Sequence, residues 1–335
     1  MSPSPQRIVP QKDAPASVLR PAAEVLARGQ VVLLPTETLY TAVASVDARS
    51  ALEALAQASG HALARLVLSR EDVADATAPV LRLCERYWPG PLILSLLEPW
   101  RSPADPNARR VIELAGTACV GVELSRTVEE SLSKFGVVPA CIVDTGATRL
   151  GEPSAVLELA PGRMRLVRPG LLDLESLRAT AGLRIGFVCT GNTCRSPMAE
   201  GIARARLAAR LGTRPEKLHE LGFSVQSMGV YAGPGDPASR FAVETLAAQG
   251  IDISAHRAQM ALPELVAKLD RVYALTRSHL EALRMSLPPG KDRHCALLDP
   301  KGRDIADPIG GPRSAYEATA AQIASAIDAR LSEWA

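Results

Sequence analysis

A cysteine and an arginine with five residues between them, Cys189 and Arg195, bracket the stretch Cys189-Thr190-Gly191-Asn192-Thr193-Cys194-Arg195-Ser196. A thiolate is a strong nucleophile, and a guanidinium can grip two oxygens of a phosphoryl group at once. Between them a short loop can turn its backbone N–H groups inward as an anion cradle. The pattern therefore suits attack of sulfur on phosphorus, with Arg195 and the loop amides following the charge. A buried structural cysteine beside a surface arginine would share the same spacing, so the flanking elements have to decide.

They agree with the chemistry. The apolar run 185–188 reads as a buried strand, and the helical run from Pro197 to Leu211 follows the loop. A helix start adds unpaired N–H donors and a positive dipole end. Pro197 suits the first helical position, and Gly191 and Asn192 suit unusual backbone angles. Further on, strands are expected at 223–227, 271–275 and 296–298, with helices at 238–249, 279–285 and 316–334. Alternation of this kind predicts a doubly wound parallel sheet with its ligand at the carboxyl ends of the strands. His256 and His279 have no catalytic spacing and read as structural or solvated. Cys194 is either a packed small residue or a partner able to capture an oxidised Cys189 as a disulfide.

The 335 residues are 47% hydrophobic and 22% charged, with a net charge of +2, which predicts a globular chain of two domains. There are 19 basic and 20 acidic residues up to residue 182, and 19 against 16 beyond it. Neither half is a bulk-charge binder of nucleic acid. No apolar run is long enough to span a membrane, no signal core opens the chain, and a cytoplasmic protein is expected. Six cysteines without metal-ligand spacing argue against a disulfide scaffold or a metal site. Residues 1–17 are expected as a flexible tail, 18–182 as a first α/β domain, and 183–335 as the second.

Residues 183–335 resemble the low-molecular-weight protein tyrosine phosphatases, through Cys189 to Glu200, Ser227-Met228-Gly229, Gly250 to His256, Asp270 to Thr276 and Asp307-Pro308-Ile309-Gly310. The resemblance implies Cys189 as nucleophile, Arg195 as phosphate clamp and Asp307 as the acid that protonates the leaving atom and then activates water. Thr190, Gly191, Asn192, Thr193, Cys194 and Ser196 would bind a phosphorylated protein substrate, with no cofactor or metal. The spelling of the loop is similar to the protein-arginine-phosphatase branch. Tyrosine-directed members usually carry an aliphatic residue where Thr193 stands, so phosphoarginine is the expected substrate and phosphotyrosine the alternative. Arsenate reduction would need relay cysteines, and only Cys295 remains outside the loop in this half.

Residues 18–178 resemble the YrdC-like family, which includes threonylcarbamoyl-AMP synthases, through Leu34 to Tyr40, Arg86 to Leu92, Asp144-Thr145-Gly146, Pro153 to Val156 and Arg168-Pro169-Gly170. The resemblance places Thr36, Glu37 and Ser154 where the family binds its amino-acid and nucleotide substrates. The family's Lys-x-Arg should fall near 57–61, where this chain reads Gln-Ala-Ser-Gly-His, and its Ser-x-Asn segment is missing after Val122. Adenylyl transfer without phosphate-binding cations lacks its main electrostatic support. The first domain is therefore expected to be a degenerate relative kept for binding or scaffolding. Synthase activity, or binding of ATP or RNA, is the alternative.

Overall fold

The computed structural model describes residues 4–59, 63–73, 76–134, 139–290 and 292–335. The chain divides into two compact units, one of Met1–Ala160 with Met164–Leu177, the other of Pro161–Arg163 with Arg178–Ala335.

The first unit is built on one mixed sheet. Among the described residues its strands run in the order 6–8, 141–143, 32–34, 41–45, 119–123, 64–66, 99–101, 92–95, 155–160 and 163–168. The run Val32–Leu34 is a fully buried strand, as expected of a short apolar run. Several segments depart from expectation. Gln6–Ile8, in the stretch read as a loose tail, pairs in parallel with Cys141–Val143, and Ala14 packs into a core with Leu19 and Leu26. Thr41–Ser45 is a central strand, antiparallel to both Val32–Leu34 and Cys119–Glu123. Its Thr-Ala-Val-Ala-Ser sequence has one large apolar residue, Val43, and so carries little hydrophobic signal, yet every residue is buried. The apolar run Leu66-Val67-Leu68 reads as a strand, and the strand lies at Ala64–Leu66. Helix Pro106–Ala115 is held at its start by Asp105, whose carboxylate accepts from the N–H groups of Asn107 and Ala108. Of the stretch expected to hold the missing cations, Gly60 and His61 lie outside the described residues; residues 128–135 read as a helix, of which Val128–Lys134 is described and Phe135 is not.

The second unit is the doubly wound α/β structure predicted. Its four strands are all parallel, in the order Ser224–Gly229, Arg184–Cys189, Arg271–Ala274, Cys295–Leu297. The unit's first strand, Arg184–Cys189, thus lies inside the sheet, and the connections run to either side of it. The loop after Cys189 sits at this switch point, where such sheets bind ligands. Along the strand, Phe187 faces a cluster with Tyr273 and Trp334, ring centroids 6.0 and 6.3 Å away. Val188 points the other way, into a core with Met228, Val272 and Leu283. Burial on both faces makes the strand a rigid mount for Cys189. The following helix spans Arg195–Leu211, so it begins before Pro197. Pro197 is its third residue, still within the first turn, where a missing N–H costs no helical bond. The expected closing helix is broken into Arg313–Asp328 and Leu331–Trp334.

Candidate active site

The loop geometry follows from where its carbonyls go. The Cys189 and Thr190 carbonyls accept from the N–H groups of Val230 and Tyr231, both at 2.9 Å, and the Thr193 carbonyl accepts from Ser239 N–H at 2.7 Å. His256 Nε2 lies 2.7 Å from the Asn192 carbonyl. In a trans peptide the N–H points opposite to the C=O. Four carbonyls bonded outward therefore turn the N–H groups of the succeeding residues inward. The helix at the loop's end has no side-chain cap, which leaves its first-turn donors open to the same space.

Asn192 fixes this shape. It is fully buried and holds φ 55°, the left-handed conformation that asparagine tolerates better than most residues. Its Nδ2 donates to Ser196 Oγ and Ser227 Oγ, both at 2.9 Å, while its Oδ1 accepts from Gln259 N–H at 2.9 Å. Ser227 in turn donates to Glu200 at 2.7 Å. Gly229 permits the close fit: a Cβ there would come within 2.5 Å of the Thr190 carbonyl oxygen.

Cys189 is 3% exposed, with its sulfur 3.0 Å from the Ser196 hydroxyl. Ser196 Oγ accepts from Asn192, and its one hydrogen is shared between the Met228 carbonyl, 3.2 Å away, and the Cys189 sulfur. Arg195 Nη2 donates to Asp307 Oδ2 at 2.6 Å and to Thr190 Oγ1 at 3.4 Å. Asp307 is half-exposed, and its other oxygen accepts from Ile309 N–H at 3.2 Å. The carboxylate thus rests on the guanidinium expected to hold phosphate. Cys194 Sγ lies 3.6 Å from the Tyr316 hydroxyl and, like Cys189, is a free thiol. Thr193 is half-buried, and its hydroxyl lies 3.7 Å from Cys194 Sγ. All nine second-unit residues singled out in the sequence thus belong to one loop and its carboxylate partner.

Two histidines read as structural or solvated also belong here. His256 holds the Asn192 carbonyl, and His279 Nε2 lies 2.8 Å from Thr190 Oγ1. Neither position has a local signal, since the partners lie 64 and 89 residues away. Tyr231, 77% exposed, is tied by its N–H to the Thr190 carbonyl beside the loop.

The first-unit residues Thr36, Glu37 and Ser154 are brought together, but in an internal network in which, among the described residues, only Arg101 Nε has no partner. Arg101, 1% exposed, donates to Thr36 Oγ1, Glu37 Oε1 and Thr38 Oγ1 at 2.9, 3.1 and 2.6 Å. Its other nitrogen lies 3.0 Å from Glu123 Oε1. Ser154 donates to the same oxygen at 2.7 Å, and Arg168 pairs with Glu123 Oε2. Two guanidiniums thus face two carboxylates, and the charges balance. Burial would raise the Glu123 carboxyl, but the Arg101 and Arg168 charges and the Ser154 and Thr38 hydroxyls outweigh it and hold it below its usual value of 4.5.

No helix among the described residues is long and apolar enough to cross a membrane. Residues 184–334 match the family model described as low molecular weight phosphotyrosine protein phosphatase. Residues 24–170 match the YrdC-containing model described as telomere recombination. A protein-arginine-phosphatase of Geobacillus stearothermophilus is 37% identical over 153 residues, 45% of this chain and 94% of that one. A threonylcarbamoyl-AMP synthase of Pyrococcus abyssi is 29% identical over 220 residues, 55% of this chain and 63% of that one. Among solved structures, a low molecular weight protein tyrosine phosphatase from T. tengcongensis is 40% identical with a TM-score of 0.39, covering 44% of this chain and 96% of that one. Through residues 184–334, whose match to a relative is nearly end to end, the chain belongs to the low molecular weight phosphotyrosine protein phosphatase family.

Proposed function

We propose that the second unit is a cysteine-dependent protein phosphatase that acts through a phosphocysteine and prefers phosphoarginine to phosphotyrosine. The observation that carries the reading is the outward bonding of the loop carbonyls around Cys189. It leaves a ring of donors matched to the three non-bridging oxygens of a phosphoryl group. The Cys189 thiolate attacks phosphorus in line with the leaving nitrogen or oxygen, and Arg195 exchanges Asp307 for the phosphoryl oxygens. Asp307, displaced from Arg195 and protonated, gives its proton to the leaving atom. It then accepts one from the water that hydrolyses the thiophosphate bond. No step calls on a metal or cofactor. The donor set and Cys189 also fit a phosphotyrosine substrate, which makes the phosphotyrosine phosphatase the second reading. A cytoplasmic location accords with a thiolate mechanism that requires reduced cysteines.

Preference for phosphoarginine rests on Thr193. Its half-buried hydroxyl can accept from a substrate guanidinium or orient the attacking water, whereas an aliphatic side chain would leave such donors unpaired at about 1–3 kcal/mol each. Thr193→Ile should therefore lower kcat/KM on phosphoarginine roughly tenfold or more, and spare or raise it on phosphotyrosine. Steady-state rates on both substrates decide. Equal losses on both, or an unmodified protein already faster on phosphotyrosine, would overturn the preference while leaving the phosphatase in place.

The first unit is proposed to have lost adenylyl transfer. Glu37 and Ser154 are committed to Arg101 and Glu123, and the four charges of that network cancel, so none is left over for a triphosphate. With threonine, bicarbonate and ATP the chain should release no pyrophosphate above background. Threonine-dependent release at enzymatic rates would restore the synthase reading.

A further inference from the structure

His279 is a buried histidine on the phosphate side of the second unit that the mechanism above leaves unused. It is 4% exposed and sits in the first turn of helix Arg277–Ser286, whose N-cap is Thr276. Its Nδ1 lies 2.8 Å from Thr276 Oγ1 and its Nε2 lies 2.8 Å from Thr190 Oγ1.

The donors along this line can be assigned. Arg195 can only donate, so Thr190 Oγ1 accepts from it. The single Thr190 hydrogen is then free to point at His279 Nε2, in the tautomer whose Nε2 carries the lone pair. In that tautomer Nδ1 bears the ring hydrogen and donates to Thr276 Oγ1. Burial, and next the Arg195 charge, push this imidazole down to about 4, so the neutral ring that the pattern needs is the form present near neutral pH. Were the ring charged, it would donate to Thr190, and the hydroxyl's hydrogen would lose its acceptor.

We propose that His279 is a positioning residue of the phosphatase site, holding the Thr190 hydroxyl so that its lone pair faces the Arg195 guanidinium while that group carries the substrate's oxygens. The proposal rests on the phosphatase reading and deepens it. In the free protein Arg195 is held by both Asp307 and Thr190. When phosphate displaces the carboxylate, Thr190 is the contact that remains to fix the guanidinium plane, and His279 fixes Thr190.

The test compares His279→Leu, His279→Gln, Thr190→Val and the Leu/Val double variant in the full chain. Each is measured by kcat/KM and by calorimetric binding of orthovanadate, with melting curves as a check on folding. His279→Leu should lower kcat/KM and weaken vanadate binding about ten- to thirtyfold, as expected for one misdirected hydrogen bond. His279→Gln places an amide oxygen near the Nε2 position and should recover most of the loss. In the Thr190→Val background the leucine substitution should add less than threefold, because the hydroxyl it acts through is gone. A structural role would give additive losses and no recovery by glutamine. Additivity, failure of glutamine to recover what leucine loses, or His279→Leu with unchanged turnover and vanadate affinity would each overturn the proposal in an active protein. An unmodified chain that neither hydrolyses phosphoarginine or phosphotyrosine nor binds vanadate would remove the phosphatase reading and this proposal together.

Discussion

Cys189→Ser is expected to lower kcat/KM on phosphoarginine and phosphotyrosine alike by about 10⁵-fold or more, the scale on which enzymes respond to loss of a catalytic nucleophile. A hydroxyl is far less acidic than a thiol, and its oxygen attacks phosphorus only when a base removes its proton. Among the contacts of Cys189, the Ser196 hydroxyl already accepts from Asn192, and its one hydrogen serves the Met228 carbonyl or the sulfur. It cannot also serve as that base. Cys194 cannot stand in, because its sulfur faces Tyr316 rather than Ser196. The fold should survive, since the substitution exchanges one atom at the buried end of a strand held on both sides. Initial rates on both substrates, with a melting curve matching the parent protein, check this. Turnover retained within a hundredfold would move the nucleophile elsewhere.

The second large effect is expected in the first unit, where Arg101→Met should destabilise the fold by about 3–5 kcal/mol, the usual result of leaving a buried charge without its partner. Glu37 would lose its ion-pair partner Arg101, and Glu123 would keep only Arg168, whose side chain is 25% exposed. Denaturant titration followed by tryptophan fluorescence reads the change, because Trp88 and Trp100 lie in this unit and Trp334 in the other. A shift below about 1 kcal/mol, as found for exposed pairs, would mean that the network is not what holds the unit's interior. The same network gives a pH dependence of known sign. The Glu123 carboxyl is held below its ordinary value of 4.5 in the folded state. Its contribution is therefore fully present above that value and is lost as pH falls through the lower, folded-state value. Acid should weaken the parent's first unit by this route.

How much of this was legible in the sequence depended on the range of the interactions. The phosphate loop was readable because strand, loop and helix are contiguous, and Asn192 supplies its left-handed turn from within. Only the helix start was misjudged, since Pro197 is compatible with any position of a first turn. Asp307 illustrates the opposite case. Its 2.6 Å contact with Arg195 spans 112 residues, and nothing local distinguishes it from a turn aspartate; it came from the family resemblance. His256 lies within a segment that carries the resemblance, yet its role, like that of His279, is set by a hydrogen bond to a distant loop residue. In the first unit, Gln6–Ile8 read as tail because three residues carry no period, and its strand exists through pairing with Cys141–Val143. Arg101 gave no signal, because an arginine is buried only when its carboxylates are assembled around it, and Glu37 and Glu123 are brought there by tertiary structure.

The central claim, that phosphorus passes through Cys189, is tested most directly by rapid quench of the purified chain with a substrate protein carrying radiolabelled phosphoarginine. The label should appear within the first turnover on the peptide containing Cys189, and its release as inorganic phosphate should follow. A burst of phosphate with no label on that peptide, or label on any other residue, would contradict the account.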